Sequence, residues 1–237
     1  MNNLFVKEVR LDRERVPDFN KYPFSVPVIN KLQSVTFTKP VTLLIGENGA
    51  GKSTLIEALA VCMGLSAEGG TRNMVYETIN TTSELHQYLK ISKSGINPRW
   101  KFFLRAESFY TMANDFEKIN ENANISKSWH NKSHGESFLD IFEGWSEGGL
   151  YFMDEPESAL SPQNQMRLLA LMHRHAKHGS QFIVSTHSPI LLSYVHADIK
   201  NVDDDLRPIA FRDTEIYQTY RLFLDSPEQI QKYLFDE

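Results

Sequence analysis

The chain has 237 residues, 41% hydrophobic and 23% charged, with a formal net charge of −5 and a pI near 5.9. That is the make-up of a soluble globular protein with one sizeable core, and it excludes two large independent domains and a globally basic nucleic-acid footprint. No apolar stretch approaches the eighteen or so residues of a membrane span, and the single cysteine, Cys62, excludes an internal disulfide.

The N-terminal stretch Met1 to Lys7 carries no apolar signal-type run, so the expected compartment is the cytoplasm. Leu4 to Leu11 and Val35 to Thr38 read as strands of an antiparallel β layer leading into the apolar run Val41 to Ile45. Residues 46 to 53 then read Gly-Glu-Asn-Gly-Ala-Gly-Lys-Ser, followed by a helical stretch through Thr54, Leu55, Ile56 and Ala58. Strand, glycine-rich turn and helix in this order make a phosphate cradle. Backbone N–H groups curl around phosphate oxygens, the helix start adds its positive end, the lysine reaches the outer phosphates and the Ser53 hydroxyl ligates Mg²⁺. Nucleoside triphosphate binding is the expected chemistry. Cys62, on the helix after the cradle, is expected to be an inert thiol.

Basic residues recur at Lys90, Lys93, Arg99, Lys101 and Arg105, then at Lys118, Lys127, His130, Lys132 and His134. A solvated face explains them better than a DNA track. Ser133 and Glu136 form a capping box before Phe138, Leu139, Ile141 and Phe142, and a serine and glycine at a helix start also suit a second anion site.

Gly149 to Met153 is a short apolar run of the buried parallel-strand type, ending in Asp154-Glu155-Pro156. An aspartate at that strand end is placed to support Mg²⁺, and the next glutamate to orient a water. Ser161 and Pro162 start a helix that runs toward Gly179, a suitable C′ residue. A third strand, Gln181 to Ser185, delivers Thr186-His187-Ser188-Pro189 to the same sheet edge, with Ser188 as a cap. Short strands are expected near Ile199 to Val202 and Ile209 to Phe211. Helices are expected over Tyr217 to Leu224 and Pro227 to Leu234, the last capped by Ser226.

Cradle, Ser-x-Gly-Glu helix start, Asp-Glu strand end, Ser-Ala-Leu-Ser turn and Thr-His-Ser follow one another as in ABC-type ATPases, and the resemblance covers Gly46 to Pro189. Phe19 to Pro27, Ala67 to Asn73, Phe102 to Phe109 and Ser133 to Phe138 also resemble small stand-alone bacterial ATPases of the SMC and RecF branch. The resemblance implies an α/β fold, a P-loop core with a mostly parallel sheet flanked by helices, an N-terminal antiparallel β layer and a small helical insertion. It implies one domain over 1–237, with residues 1–45 leading into the P-loop strand, the insertion near 106–147 and the acidic strand, histidine and last helices in 148–237. Gly46, Asn48, Gly49, Ala50, Gly51, Lys52, Ser53 and Thr54 would bind ATP. Ser53, Asp154 and Glu107 would serve Mg²⁺, with Glu155 as base, His187 as the switch histidine and Lys52 as a catalytic cation. Ser133, Gly135 and Glu136 would be the signature, acting across a head-to-tail homodimer, with Ser158 to Ser161 between the two sites.

The chain departs from that pattern at three places. His134 stands where the first of two signature glycines belongs and Lys132 where leucine is usual. Arg105-Ala106-Glu107-Ser108 stands where a glutamine loop belongs. The adenine-stacking aromatic is unmarked, with Tyr22 and Phe24 as aromatics that core packing also explains, and Arg72 and Asn73 either reach a phosphate or finish a loop. Three function classes follow: an ATPase driving DNA repair, maintenance or defence with a nucleic-acid or protein partner; the nucleotide-binding subunit of a transporter, with a membrane permease; and a P-loop kinase. Too little chain separates Thr54 from Ser133 for a long DNA-clamping coiled coil.

Overall fold

The computed structural model describes residues 4–71, 83–105, 134–144 and 147–235. Arg72, Asn73, Glu107, Lys118, Lys127, His130, Lys132 and Ser133, all singled out above, lie outside the described residues.

Seven strands form the main sheet, in the order β10 (Arg207–Pro208), β9 (Asp198–Asn201), β3 (Val41–Ile45), β8 (Gln181–Ser185), β7 (Gly149–Asp154), β6 (Trp100–Arg105) and β4 (Gly70–Thr71). The five from β9 to β6 run parallel, and the two outer strands run antiparallel to their neighbours. The apolar runs read as buried strands are apolar on both sides because both faces are covered. In β7, Leu150 and Phe152 enter one core, and Tyr151 and Met153 enter the other; Ile183 of β8 and its neighbours Phe182 and Val184 divide the same way.

The first core lies between this sheet, α1 (Pro27–Lys31), α2 (Lys52–Cys62) and a second, antiparallel sheet of β2 (Ser34–Thr36), β1 (Val6–Leu11) and β5 (Leu89–Lys93). The N-terminal β layer therefore forms, with a third strand from beyond the cradle that sequence reading missed. Gln181 joins the two sheets: its amide accepts the Val6 N–H and donates to the Val6 carbonyl, both at 2.9 Å, so this buried polar side chain is satisfied. The other core is closed by α3 (His134–Gly144), α4 (Pro162–Lys177) and the single turn α5 (Pro189–Leu192). Phe138 and Phe142 of α3 stack there, and Arg167 of α4 binds Asp140 and Glu143 of α3 at 2.7 Å.

Caps follow the sequence at two starts: the hydroxyls of Ser161 and Ser188 accept N–H groups three residues on, and Thr214, which the sequence reading did not mark, does the same. Gly179 takes the left-handed φ of +86° after α4, as a C′ residue should. Two expectations fail. Ser226 stands before α7 (Pro227–Leu234) but its side chain caps nothing, because its amide instead closes α6 (Glu215–Asp225) and its backbone is not in the capping conformation. The second short C-terminal strand is Arg207–Pro208, not Ile209 to Phe211; Phe211 opens a tight turn and packs its ring on Tyr217.

Among the basic residues, Lys90 pairs with Asp12, Lys101 donates to the Met63 carbonyl and Arg105 pairs with Glu57, so they serve different elements and make no single track. Cys62 is half-buried and donates to the His86 carbonyl, and burial pushes its thiol up to about 11, which keeps it unreactive. No helix of the described residues is long and apolar enough to cross a membrane.

Candidate functional site

Between Ile45 and Lys52 the chain turns on glycines whose conformations no other residue holds cheaply. Gly51 has φ +103°, and a Cβ there would lie 2.3 Å from Val26 Cγ1 and 2.9 Å from Val28 Cγ1. Gly49, φ +82°, has nothing within 4 Å of the corresponding position, so that side of the turn is open. Ala50 is buried under the turn, whereas Asn48, Gly49 and Ser53 are exposed and Thr54 is half-buried. Lys52 opens α2 and is only 4% exposed; its ammonium donates to the carbonyls of Gly46 at 2.8 Å and Glu47 at 2.9 Å. Burial lowers its pKa, and the carboxylates of Glu155, Asp203, Asp154 and Glu157 oppose that shift and keep a charge favourable there.

Strand register brings the other groups to this point. Leu44 pairs with Ser185, Ser185 with Asp154 and Asp154 with Arg105, so four parallel strands end level. Asp154 is buried and accepts a short hydrogen bond from the Ser185 hydroxyl. That hydroxyl also accepts the Glu155 N–H at 3.2 Å, and the Ser185 carbonyl accepts it at 3.1 Å. Glu155 itself is left-handed, with φ 47° and ψ 56°, a conformation costing about 1–2 kcal/mol for a residue with a Cβ. The kink leaves its carboxylate 3.7 Å from His187 Nε2. Glu157 accepts the His187 N–H at 2.5 Å and holds the loop after β8, while the Nε2 end of that ring is buried with no hydrogen-bond partner. Burial, then Lys52, lowers the His187 pKa, so the ring is neutral at physiological pH; burial raises that of Glu157.

Lys52, Asp154, Glu155 and His187 thus share one sheet edge. Sequence reading missed three groups that position them: Ser185, Glu157 and Asp203. Asp203, just beyond β9, accepts the Glu47 N–H at 2.8 Å and packs against the Gly46 backbone. It helps line a cavity of about 340 Å³ with Gly46, His187, Asn201 and Tyr220. Only the run of acids Asp203 to Asp205 hinted at it. Phe24, weighed as an adenine platform, is instead a core residue, 1% exposed and edge-on to Tyr88; Tyr22 is 61% exposed. Arg105, expected to open the glutamine-loop equivalent, binds Glu57 at 3.2 Å and the Ala67 carbonyl at 3.0 Å, tying β6 to α2. Glu136 lies half-buried in the first turn of α3, next to Gly135; Ser133 and Glu107 lie outside the described residues.

A family model described as "AAA domain" (AAA_23) matches residues 18–178, more than half of the chain. The chain belongs to the AAA domain family. The match takes in the cradle and the Asp154-Glu155 strand and stops before β8, so His187 and Asp203 lie beyond it. The match agrees with the cradle and the Asp154-Glu155 strand end read from the sequence. The chain is similar to the ABC multidrug transporter AFR2 of Cryptococcus neoformans, 25% identical over 194 residues, covering 68% of this chain; the chain spans only 12% of that transporter. Among solved structures it is similar to the SMC head domain from Thermotoga maritima, with a TM-score of 0.46 and 17% identity, covering 84% of this chain and 94% of that one. It is also similar to a metal-chelate type ABC transporter in an inward-facing conformation, with a TM-score of 0.41 and 18% identity over 79% of this chain and 80% of that one. Membership of the family rests on the domain match.

The residues present fit a magnesium nucleotide. Lys52 holds two carbonyls that phosphate oxygens can replace, the glycine turn is open on one side, and the unpartnered His187 Nε2 faces the shared edge. Ser53 and Asp154 offer the hydroxyl and the carboxylate that a hard, oxygen-loving cation takes.

Proposed function

We propose that this chain binds ATP with Mg²⁺ and hydrolyses it, using Glu155 as the base. The observation that carries this reading is the 3.7 Å approach of Glu155 to His187 beside a buried Lys52. Lys52 and the amides of Gly49, Gly51 and Ser53 would hold the outer phosphates; Mg²⁺, held by Ser53 and through water by Asp154, would neutralise charge on them. The Glu155 carboxylate would accept the proton of the attacking water. His187, neutral and fixed from behind by Glu157, would donate a hydrogen bond to the terminal phosphoryl oxygens, where negative charge grows.

Glu157 and Ser185 are positioning residues in this scheme. The helix start at Gly135 and Glu136, with Ser133, would close on the ATP of a second copy in a head-to-tail pair, and Glu107 would assist at the metal. The associated process is of the DNA maintenance or defence kind, supported by the resemblance of the cradle and of Asp154-Glu155-Pro156-Glu157 to that branch.

Turnover of Mg-ATP, with gel filtration in parallel, tests the scheme. Glu155→Gln is expected to keep ATP, to slow turnover by about a hundredfold or more, and to elute as a dimer. Turnover at the wild-type rate would reject Glu155 as base. ATP retention by a protein that stays monomeric would reject the pairing and leave the binding site standing.

A further inference from the structure

The five parallel strands from β9 to β6 also share an amino edge, on the far side of the sheet from the cradle. Two cavities of about 400 and 490 Å³ lie along it and share Pro40, Ala176 and Lys177 as walls, so they adjoin as neighbouring parts of one groove-like edge. Each strand contributes the residue just before it starts: Arg99 before β6, Gly148 before β7, Ser180 before β8, Pro40 before β3 and His196 close to β9. Four strand spacings make the groove about 19 Å long, room for roughly four nucleotides.

Its charge runs against that of the whole molecule. The chain carries −5, yet among the described residues no carboxylate lines either cavity, whereas Arg99, Lys177 and Lys39 do, all three exposed. Lys39 is oriented by donating to the Ala197 carbonyl at 2.7 Å. Glu147, on the rim, faces His178 at 3.3 Å. Rings stand at one end: His173 stacks on His196 at 5.5 Å and binds the Tyr194 hydroxyl at 2.9 Å, with His196 exposed.

We infer that this groove binds a single-stranded nucleic acid, its phosphates along Lys39, Lys177 and Arg99 and a base on the His196 and Tyr194 rings. A cationic channel of this length with rings at hand is what a flexible polyanion with flat bases requires. An acidic protein segment would use the cations and leave the rings idle. The inference names a partner for the ATPase reading above but needs no nucleotide, because the groove and the cradle lie at opposite ends of the strands.

Fluorescence anisotropy of a labelled fifteen-residue oligothymidylate, measured without ATP, tests it. Binding at 50 mM salt is expected, weakening about twentyfold by 200 mM if three phosphates are neutralised. Lys177→Glu and Arg99→Glu should each weaken it at least tenfold and His196→Ala about threefold, whereas Lys232→Glu, on α7 away from the groove, should change nothing. Lys52→Ala should bind the oligonucleotide as the wild type does, even though it loses ATP, so failure of one reading is distinguishable from failure of the other. Three results would overturn the inference: no binding at 50 mM salt, equal binding by the groove variants with their folds intact by circular dichroism, or polyglutamate competing as well as the oligonucleotide.

Discussion

At their carboxyl ends, β3, β7 and β8 present glycines, a buried lysine and the groups Asp154, Glu155 and His187, each held by a named partner. The amino edge of the same sheet carries exposed Lys39, Lys177 and Arg99, with Lys39 alone of the three seen to be tied, to a carbonyl. One edge holds its charged groups buried or half-buried, mixed in sign and preorganised; the other is open, and the charged side chains that line its two cavities are cations. Buried opposite charges fix geometry, as a reaction demands, whereas an exposed row of like charges gives screened attraction that tolerates many registers, as a polymer ligand demands.

The largest effect that separates the two edges is expected from Lys52→Ala. Nucleotide affinity, read with a fluorescent ATP analogue, should fall by on the order of a hundredfold, while the amino-edge cations are untouched. A parallel loss of both activities would mean that the edges are not independent.

Ser185→Ala sharpens the same point at smaller scale. Asp154 would lose its buried donor, a cost of about 1–3 kcal/mol for an unsatisfied group, and Glu155 would keep its bond to the Ser185 carbonyl. Turnover is expected to drop roughly tenfold, with little change in ATP affinity. An equal loss in affinity would make Ser185 a binding group rather than a positioning one.

The smallest effect concerns His175, near the end of α4 below the amino edge, 2% exposed, its ring stacked on Phe142. Burial, then Arg174, lowers its pKa from 6.5, so the unfolded chain takes up this proton first as pH falls. The unfolded state then binds more protons, and stability contributed here is present above about pH 6.5 and lost below it. Melting temperatures at pH 7.5 and 5.5 should therefore differ less in His175→Phe than in the wild type. Glu57 and Glu157, raised by burial, act in the opposite sense, but they are common to both proteins and drop out of the difference.

Much of the carboxyl edge is legible in the sequence because it is built from local rules. A strand-glycine-helix run needs only neighbours to specify it, and Ser161 with Pro162 or Ser188 with Pro189 marks a helix start within four residues. Ser185, Glu157 and Asp203 were not legible in their roles, since each acts on a residue brought close by folding: Ser185 meets Asp154 across a strand pair, and Asp203 meets Glu47 from a loop 156 positions away. Phe24 shows the limit from the other side, because an aromatic before the cradle has the same sequence signature whether it faces a base or a core. The β5 strand, polar on alternate positions and isolated from its partner β1 by the whole cradle unit, carried too weak a periodic signal to be read.

By itself the sequence determined the cradle, the buried parallel strands and the three chemistry-bearing turns that follow them, because apolar runs and glycine, proline and capping residues act over a few positions. Only the tertiary structure decided the strand order and register that set Lys52, Glu155 and His187 side by side. The same folding gathered Arg99, Lys177 and Lys39 from three separate segments into one groove. Sheet pairing joins segments far apart in the chain, and no local pattern specifies which ends will meet.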